Sequence, residues 1–360
     1  MALAAVLPFT IAACSSAASD TGGSDTTNVA TEAEVTTEAT PTDISVVATT
    51  TIWSDVTSAA LCGLDVPAVM PPGADPHIFE PALADRATLE AADLVVANGL
   101  YLEEGMVDLL STVAAGGVRV IELTENADVL EFGGGHDDHD DHDDHESDDH
   151  DDHESDDHDD HADHESDDHD DHDDHDEHES EDHDDHDHSG GDPHIWFDPL
   201  TVAEVVPTIV EAAIAAGADT SVRACGQDYI DELEALDTEI RGTLSAIPDD
   251  ARYLVTNHDA FGYFAARYDF EVVGTVIPSL SSLGETNPAD LADLAAIIEE
   301  LDIPAIFAEY QAADTEANAL AEVLPGVSVA TLDSGSLRDS NDSYITFMRR
   351  NTQVVAEALG

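Results

Sequence analysis

Residues 252–276 read RYLVTNHDAFGYFAARYDFEVVGTV, and this stretch sets the fold. Residues 252–256 are an apolar strand, 260–267 carry helical spacing, and 270–276 are a second strand rich in β-branched residues. His258 falls directly after the first strand. A strand, a helix and a strand in so short a space form a βα unit, which calls for a parallel sheet with crossover helices. The pattern continues downstream. Residues 288–301 read as helix, 303–308 as strand, 315–324 as helix and 327–332 as strand, and 342–359 close the chain as a helix.

Upstream the same alternation recurs. Strands are expected at 44–52, 65–70, 93–97 and 118–123, with helices at 53–62, 83–92 and 103–115. Residues 202–216 and 221–244 are helical, and the second carries Tyr229, Ile230, Leu233, Leu236 and Ile240 at helical spacing before Pro248 ends it. The expected class is α/β: two similar lobes, each a four-stranded mostly parallel sheet with flanking helices, joined by one long helix. The divisions read as an N-terminal lobe at 44–220, a linking helix at 221–247 and a C-terminal lobe at 248–360.

The histidines are distributed unevenly. Of 19, 16 lie between His136 and His188, which leaves His77, His194 and His258. His77 sits in Asp-Pro-His-Ile-Phe-Glu-Pro, after the 65–70 strand, and His194 in Asp-Pro-His-Ile-Trp-Phe-Asp-Pro. The repeated Asp-Pro-His followed by apolar residues marks the pair as functional. In open α/β sheets, ligands bind beyond the carboxyl ends of strands, where His77 and His258 fall. Two carboxylates share that placement: Asp333 after the 327–332 strand and Glu309 after the 303–308 strand. Three imidazoles and one carboxylate suit tetrahedral zinc, in a cleft between the lobes. Spacing leaves open whether Asp333 or Glu309 is the ligand and whether the other orients a histidine.

Residues 133–191 are a low-complexity segment built on His-Asp-Asp units with no apolar face, expected to be disordered and to collect cations through weak imidazole and carboxylate sites. The formal net charge is −73, from 9 basic residues, all arginine, and 82 acidic ones. Outside 136–188 acidic residues still outnumber basic ones about fivefold. This balance makes nucleic acid and anionic lipid poor partners and cations good ones.

The first 13 residues are apolar and end Ile-Ala-Ala before Cys14, which resembles a bacterial lipobox with Cys14 as the lipidated residue. The stretch is too short to span a membrane. It lacks an opening Lys or Arg, so translation is expected to start further upstream. Residues 1–14 thus read as signal peptide and lipid-bearing Cys, and 15–43, poor in large apolar side chains, as a flexible tether. Cys62 and Cys225 remain. Outside the cytoplasm they are either a disulfide or two unrelated core residues.

With these motifs in hand, the sequence resembles the metal-binding solute-binding proteins of zinc and manganese ABC transporters, the ZnuA-like group. The matching stretches are 71–81, 98–110, 192–199, 256–264, 287–311 and 332–359, and the likeness runs from 44 to 360 outside the His/Asp run. It implies metal ligands at His77, His194 and His258, with Asp333 in the place of the family's carboxylate ligand, and a rigid connecting helix at 221–244. It also implies that the protein hands its ion to a permease and ATPase; together with the lipobox, the expectation is a monomer held at the membrane by its lipid, outside the cytoplasm. Manganese-type members tend to carry Glu in the place of His258, so Zn²⁺ is the expected cargo, with Mn²⁺ as the alternative. A zinc hydrolase is the rival class. It needs an open metal position and a general base, whereas a fourth ligand closes the site and no HExxH-type motif occurs, so no enzyme is expected.

Overall fold

The computed structural model describes residues 44–131 and 191–360, except 313. The expected signal peptide, Cys14, the tether and the His/Asp run lie outside the described residues.

The first sheet comprises β1 (Val46–Ala48), β2 (Leu94–Ala97) and β3 (Arg119–Glu122), all parallel, in the order β1-β2-β3. α1 (Thr51–Ala60) follows β1, α2 (Leu83–Glu90) precedes β2, and α3 (Val107–Ala115) connects β2 to β3. The expected strand at 44–52 stops at Ala48 because Thr50 caps α1, its side chain accepting from the Trp53 amide at 3.2 Å.

The run at 65–70, expected as a fourth strand, pairs with β1 through one isolated bridge, Ala48 to Ala68. Ala48 N donates to Pro67 O, Val69 N to Ala48 O and Met70 N to Thr49 O, at 2.9–3.0 Å. Pro67 lacks an N–H, and Pro71 and Pro72 follow at once, so the ladder has no room to extend.

The second sheet has four strands, β4 (Tyr253–Thr256), β5 (Glu271–Thr275), β6 (Ala305–Glu309) and β7 (Ser328–Leu332), all parallel, in the order β5-β4-β6-β7. Between the two sheets in sequence run α4 (Pro199–Ala216) and α5 (Val222–Leu244). Within the second half are α6 (Gly262–Tyr268), α7 (Pro288–Glu300), α8 (Thr315–Val323) and α9 (Tyr344–Leu359).

Alternation along the strands divides the core. Val46, Ala48 and Leu254 face one large cluster, while Val47 and Val255 face two smaller ones on the opposite sides of their sheets. Both faces of each parallel sheet are therefore covered, as such sheets require. The large cluster is shared by the two sheets. It contains Leu94, Ile209 of α4, Leu236 of α5 and Phe307. α4 is long and apolar enough to cross a membrane by composition, but it forms part of this core and packs along α5. Their approach depends on Gly226, where an added Cβ would lie 2.7 Å from Val210 Cγ2. Cys62, just beyond α1, is bonded to Cys225 of α5 across 163 residues of chain, with Cα atoms 5.3 Å apart. Closing so long a loop restricts the unfolded chain, an effect of about 5 kcal/mol in the loop-entropy model.

Candidate metal centre

His77, His194 and His258 are all buried, and each is held by a different connection. His77 lies in the proline-rich loop beyond residue 70, His194 directly before a buried turn of 3₁₀ helix (Ile195–Phe197), and His258 two residues past β4. The turn is anchored in the core. Phe197 packs against Phe261 with ring centroids 4.2 Å apart, Trp196 Nε1 donates to Ser334 O at 2.8 Å, and Tyr344 Oη donates to Trp196 O at 2.7 Å. On the other side, Trp53 Nε1 donates to Asn98 Oδ1, and Asn98 Nδ2 donates to Pro193 O, both at 2.9 Å. His194 is thus fixed from both sheets.

The three rings converge, with centroids 5.2–5.4 Å apart. His194 Nε2 is 3.3 Å from His77 Nε2 and 3.3 Å from His258 Nε2. Zinc–nitrogen bonds of about 2.0–2.1 Å at the tetrahedral angle place ligand nitrogens about 3.3 Å apart. The spacing therefore fits one first-row metal ion, and among the described residues these three histidines are the group able to hold one.

Carboxylates set the orientation of two rings. Asp192 Oδ1 accepts from His194 N at 2.9 Å and lies 2.7 Å from its Nδ1. Glu309 Oε1 accepts from His258 N at 3.1 Å and lies 2.5 Å from its Nδ1, while Ser334 Oγ donates to Glu309 Oε2 at 2.6 Å. An ionised carboxylate only accepts, so it places the proton on Nδ1 and leaves the Nε2 lone pair facing the centre.

Burial, followed by the two neighbouring histidines, holds His194 well below the usual imidazole range. Burial also pushes Asp192 up to about 7. At His258 burial opposes charge, but the Glu309 carboxylate outweighs it and raises the pKa. Glu309 itself is lowered, because the His258 charge and its hydrogen bonds overcome the effect of burial.

These directions fix the sign of a pH effect. The metal-free Glu309–His258 pair contributes stability that is lost as pH rises through the raised His258 value, and lost again as pH falls through the lowered Glu309 value. Metal must displace the His258 proton. Apparent zinc affinity is expected to weaken by about tenfold per pH unit below the raised His258 value, with proton release on binding. Zinc titrations at several pH values in buffers of different ionisation enthalpy would measure both.

Among the described residues the three histidines come together as one group, and Asp333 is held by two arginines. Asp333 is fully buried, and its carboxylate accepts from Arg338 Nε at 2.8 Å and from Arg350 Nε. Arg350 also donates to Asp342 at 2.7 Å. Glu309, the other candidate carboxylate, is bound to the back of the His258 ring.

A family model described as zinc-uptake complex component A, periplasmic (ZnuA), matches residues 46–358. The chain belongs to the ZnuA family. Among curated relatives, the zinc-binding protein TroA of Treponema pallidum is 25% identical over 301 residues, spanning 81% of this chain and 80% of that one. The manganese-binding lipoprotein MntA of Halalkalibacterium halodurans is 26% identical over 298 residues, 81% of this chain and 80% of its own. The high-affinity zinc uptake system protein ZnuA of Bacillus subtilis is 26% identical over 301 residues, 82% and 81%. The solved structure of the periplasmic zinc-binding protein TroA from Treponema pallidum superposes with a TM-score of 0.68 at 24% identity, covering 88% of this chain and 99% of that one, a likeness of fold.

As a ZnuA-family member, the chain is a metal-binding substrate-binding component of an ABC-type uptake system, working outside the cytoplasm with a permease and ATPase. Sequence reasoning missed two residues of the ZnuA-type site. Asp192 holds the His194 ring, and Asp75 accepts the His77 amide at 3.0 Å. The signal was present in the repeated Asp-Pro-His, where an Asp side chain accepting from the amide two residues on forms an Asx turn that presents the histidine.

Proposed function

We propose that this chain is the high-affinity zinc receptor of its uptake system, with His77, His194 and His258 as the protein's ligands. The observation that carries the reading is the 3.3 Å spacing of the Nε2 atoms about His194, each of two rings backed by a carboxylate. Asp333 stays the candidate fourth ligand, since each of its oxygens accepts from one arginine and keeps a further lone pair. In this reading Cys14 carries the lipid, residues 15–43 are the tether, and residues 44–220 and 248–360 are the lobes about the linking helix at 221–247. The His/Asp run collects ions for the site, and the monomer passes its cargo to the permease without catalysis.

Manganese is the second reading, supported by relatives named as manganese-binding, MntA and PsaA. Three imidazoles weigh against it, since nitrogen donors suit zinc while carboxylate and water suit manganese.

Competitive zinc titration on forms lacking residues 1–14 tests the reading. One tight site is expected to survive deletion of 132–190, with several weaker sites lost, and His258→Ala is expected to remove the tight site. Disappearance of the tight site with the run would place the receptor there instead. Equal affinity for manganese in the deleted form would overturn the zinc assignment.

A further inference from the structure

Two of the three rings have a carboxylate at Nδ1, and the third does not. His77 Nδ1 is buried with no hydrogen-bond partner. Its Nε2 faces the centre, so a ligating His77 carries its proton on Nδ1. Leaving a buried donor unmade costs about 1–3 kcal/mol. Glu104 Oε1 lies 3.6 Å from that nitrogen, less than about 1 Å beyond hydrogen-bonding distance. The same oxygen accepts from Ser281 Oγ at 2.6 Å, and the adjacent Ser282 Oγ donates to Asp75 Oδ2 at 2.6 Å. Ser281 and Ser282 lie in the loop between β5 and α7, whereas Glu104 and Asp75 belong to the half of the chain that carries the first sheet. One carboxylate therefore sits between the unpartnered side of a cargo histidine and a loop from the opposite sheet.

We infer that Glu104 is the third positioning carboxylate of the site, closing onto His77 Nδ1 when the ion binds and tying the 277–287 loop to the first-sheet half of the chain through Ser281. The inference rests on the zinc-receptor reading and deepens it. The ion polarises Nδ1–H and strengthens its bond to the carboxylate, and Ser281 transmits that closure to the second sheet. Asp75, held by Ser282, supports the same loop from the His77 backbone.

The test compares the parent chain, Glu104→Gln and Ser281→Ala, with zinc as the probe. Glu104→Gln is expected to bind zinc 10–100-fold more weakly, the usual effect of removing a group that holds a metal-bound histidine. Its metal-free melting temperature should stay near the parent's. Ser281→Ala is expected to keep most of the affinity but release zinc to a fluorescent chelator several-fold faster. In zinc-loaded parent protein, the His77 Nδ1–H should appear as a slowly exchanging downfield proton in ¹⁵N-edited NMR, and Glu104→Gln should lose or shift it upfield. Should Glu104→Gln fail to fold, the parent's His77 proton and the Ser281→Ala release rate decide the matter. A rapidly exchanging His77 proton in the loaded parent overturns the inference, as does parent-like affinity in Glu104→Gln. A parent that binds no zinc overturns the receptor reading and this inference together, whereas a parent that binds tightly beside an unaffected Glu104→Gln overturns this inference alone.

Discussion

His194→Ala is expected to weaken zinc binding on the order of a thousandfold, since the whole ion is worth more than about 10 kcal/mol in a typical closed zinc site and one of few ligands is lost. His194 is the vertex of the triad. Its Nε2 is the atom 3.3 Å from the Nε2 atoms of both other histidines, and its ring is fixed by Asp192 from behind and by the anchored turn that follows. Neither neighbour replaces it, because His77 and His258 sit in connections that follow different sheets. Competition against a chelator of known affinity measures the loss. The fold should remain, as the aromatic core under the site involves Trp196 and Phe197 and does not depend on the imidazole.

Asp333→Ala should lower the stability of the metal-free chain. The carboxylate is fully buried, while Arg338 and Arg350 are 35% and 23% exposed. Removing a buried partner typically costs about 3–5 kcal/mol, and solvent around the two arginines reduces that to about 2–3 kcal/mol here. Arg350 keeps Asp342, which limits the damage further. Urea unfolding of the metal-free chain is expected to show a lower midpoint with an unchanged slope. A midpoint equal to the parent's would mean that the Arg338–Asp333–Arg350 link contributes nothing net to folding.

The contrast between Asp333 and Glu309 shows what the sequence conveys and what it withholds. Helix and strand positions were legible because each depends on local spacing. The stretch at 252–276 reads as β4, α6 and β5 to within two residues. Both carboxylates follow strands, and both appeared equally near His258. The order β5-β4-β6-β7 separates them. β6 is the neighbour of β4, with Thr256 opposite Phe307, so His258 and Glu309 each lie two residues past a shared register. β7 lies one strand further out, where Leu332 is opposite Glu309. Strand order is a long-range property that no window of sequence carries. The overlong first strand failed for a local reason, the Thr50 cap, which competes with β-branched character in the same four residues. The unpartnered nitrogen of His77 lay beyond sequence reasoning altogether, because it is a gap in three dimensions.

The bond between Cys62 and Cys225 has a further consequence for the life of the protein. The two cysteines bracket residues 132–190, and His77 and His194 lie on opposite sides of that segment within the bracket. A single cut anywhere in 132–190 would therefore yield two polypeptides that remain one covalent molecule, with ligands from each piece still facing each other. Loss of continuity there becomes a change in the number of chain ends and leaves the cargo site whole, which frees that part of the gene to lengthen, shorten or be clipped while the receptor goes on working.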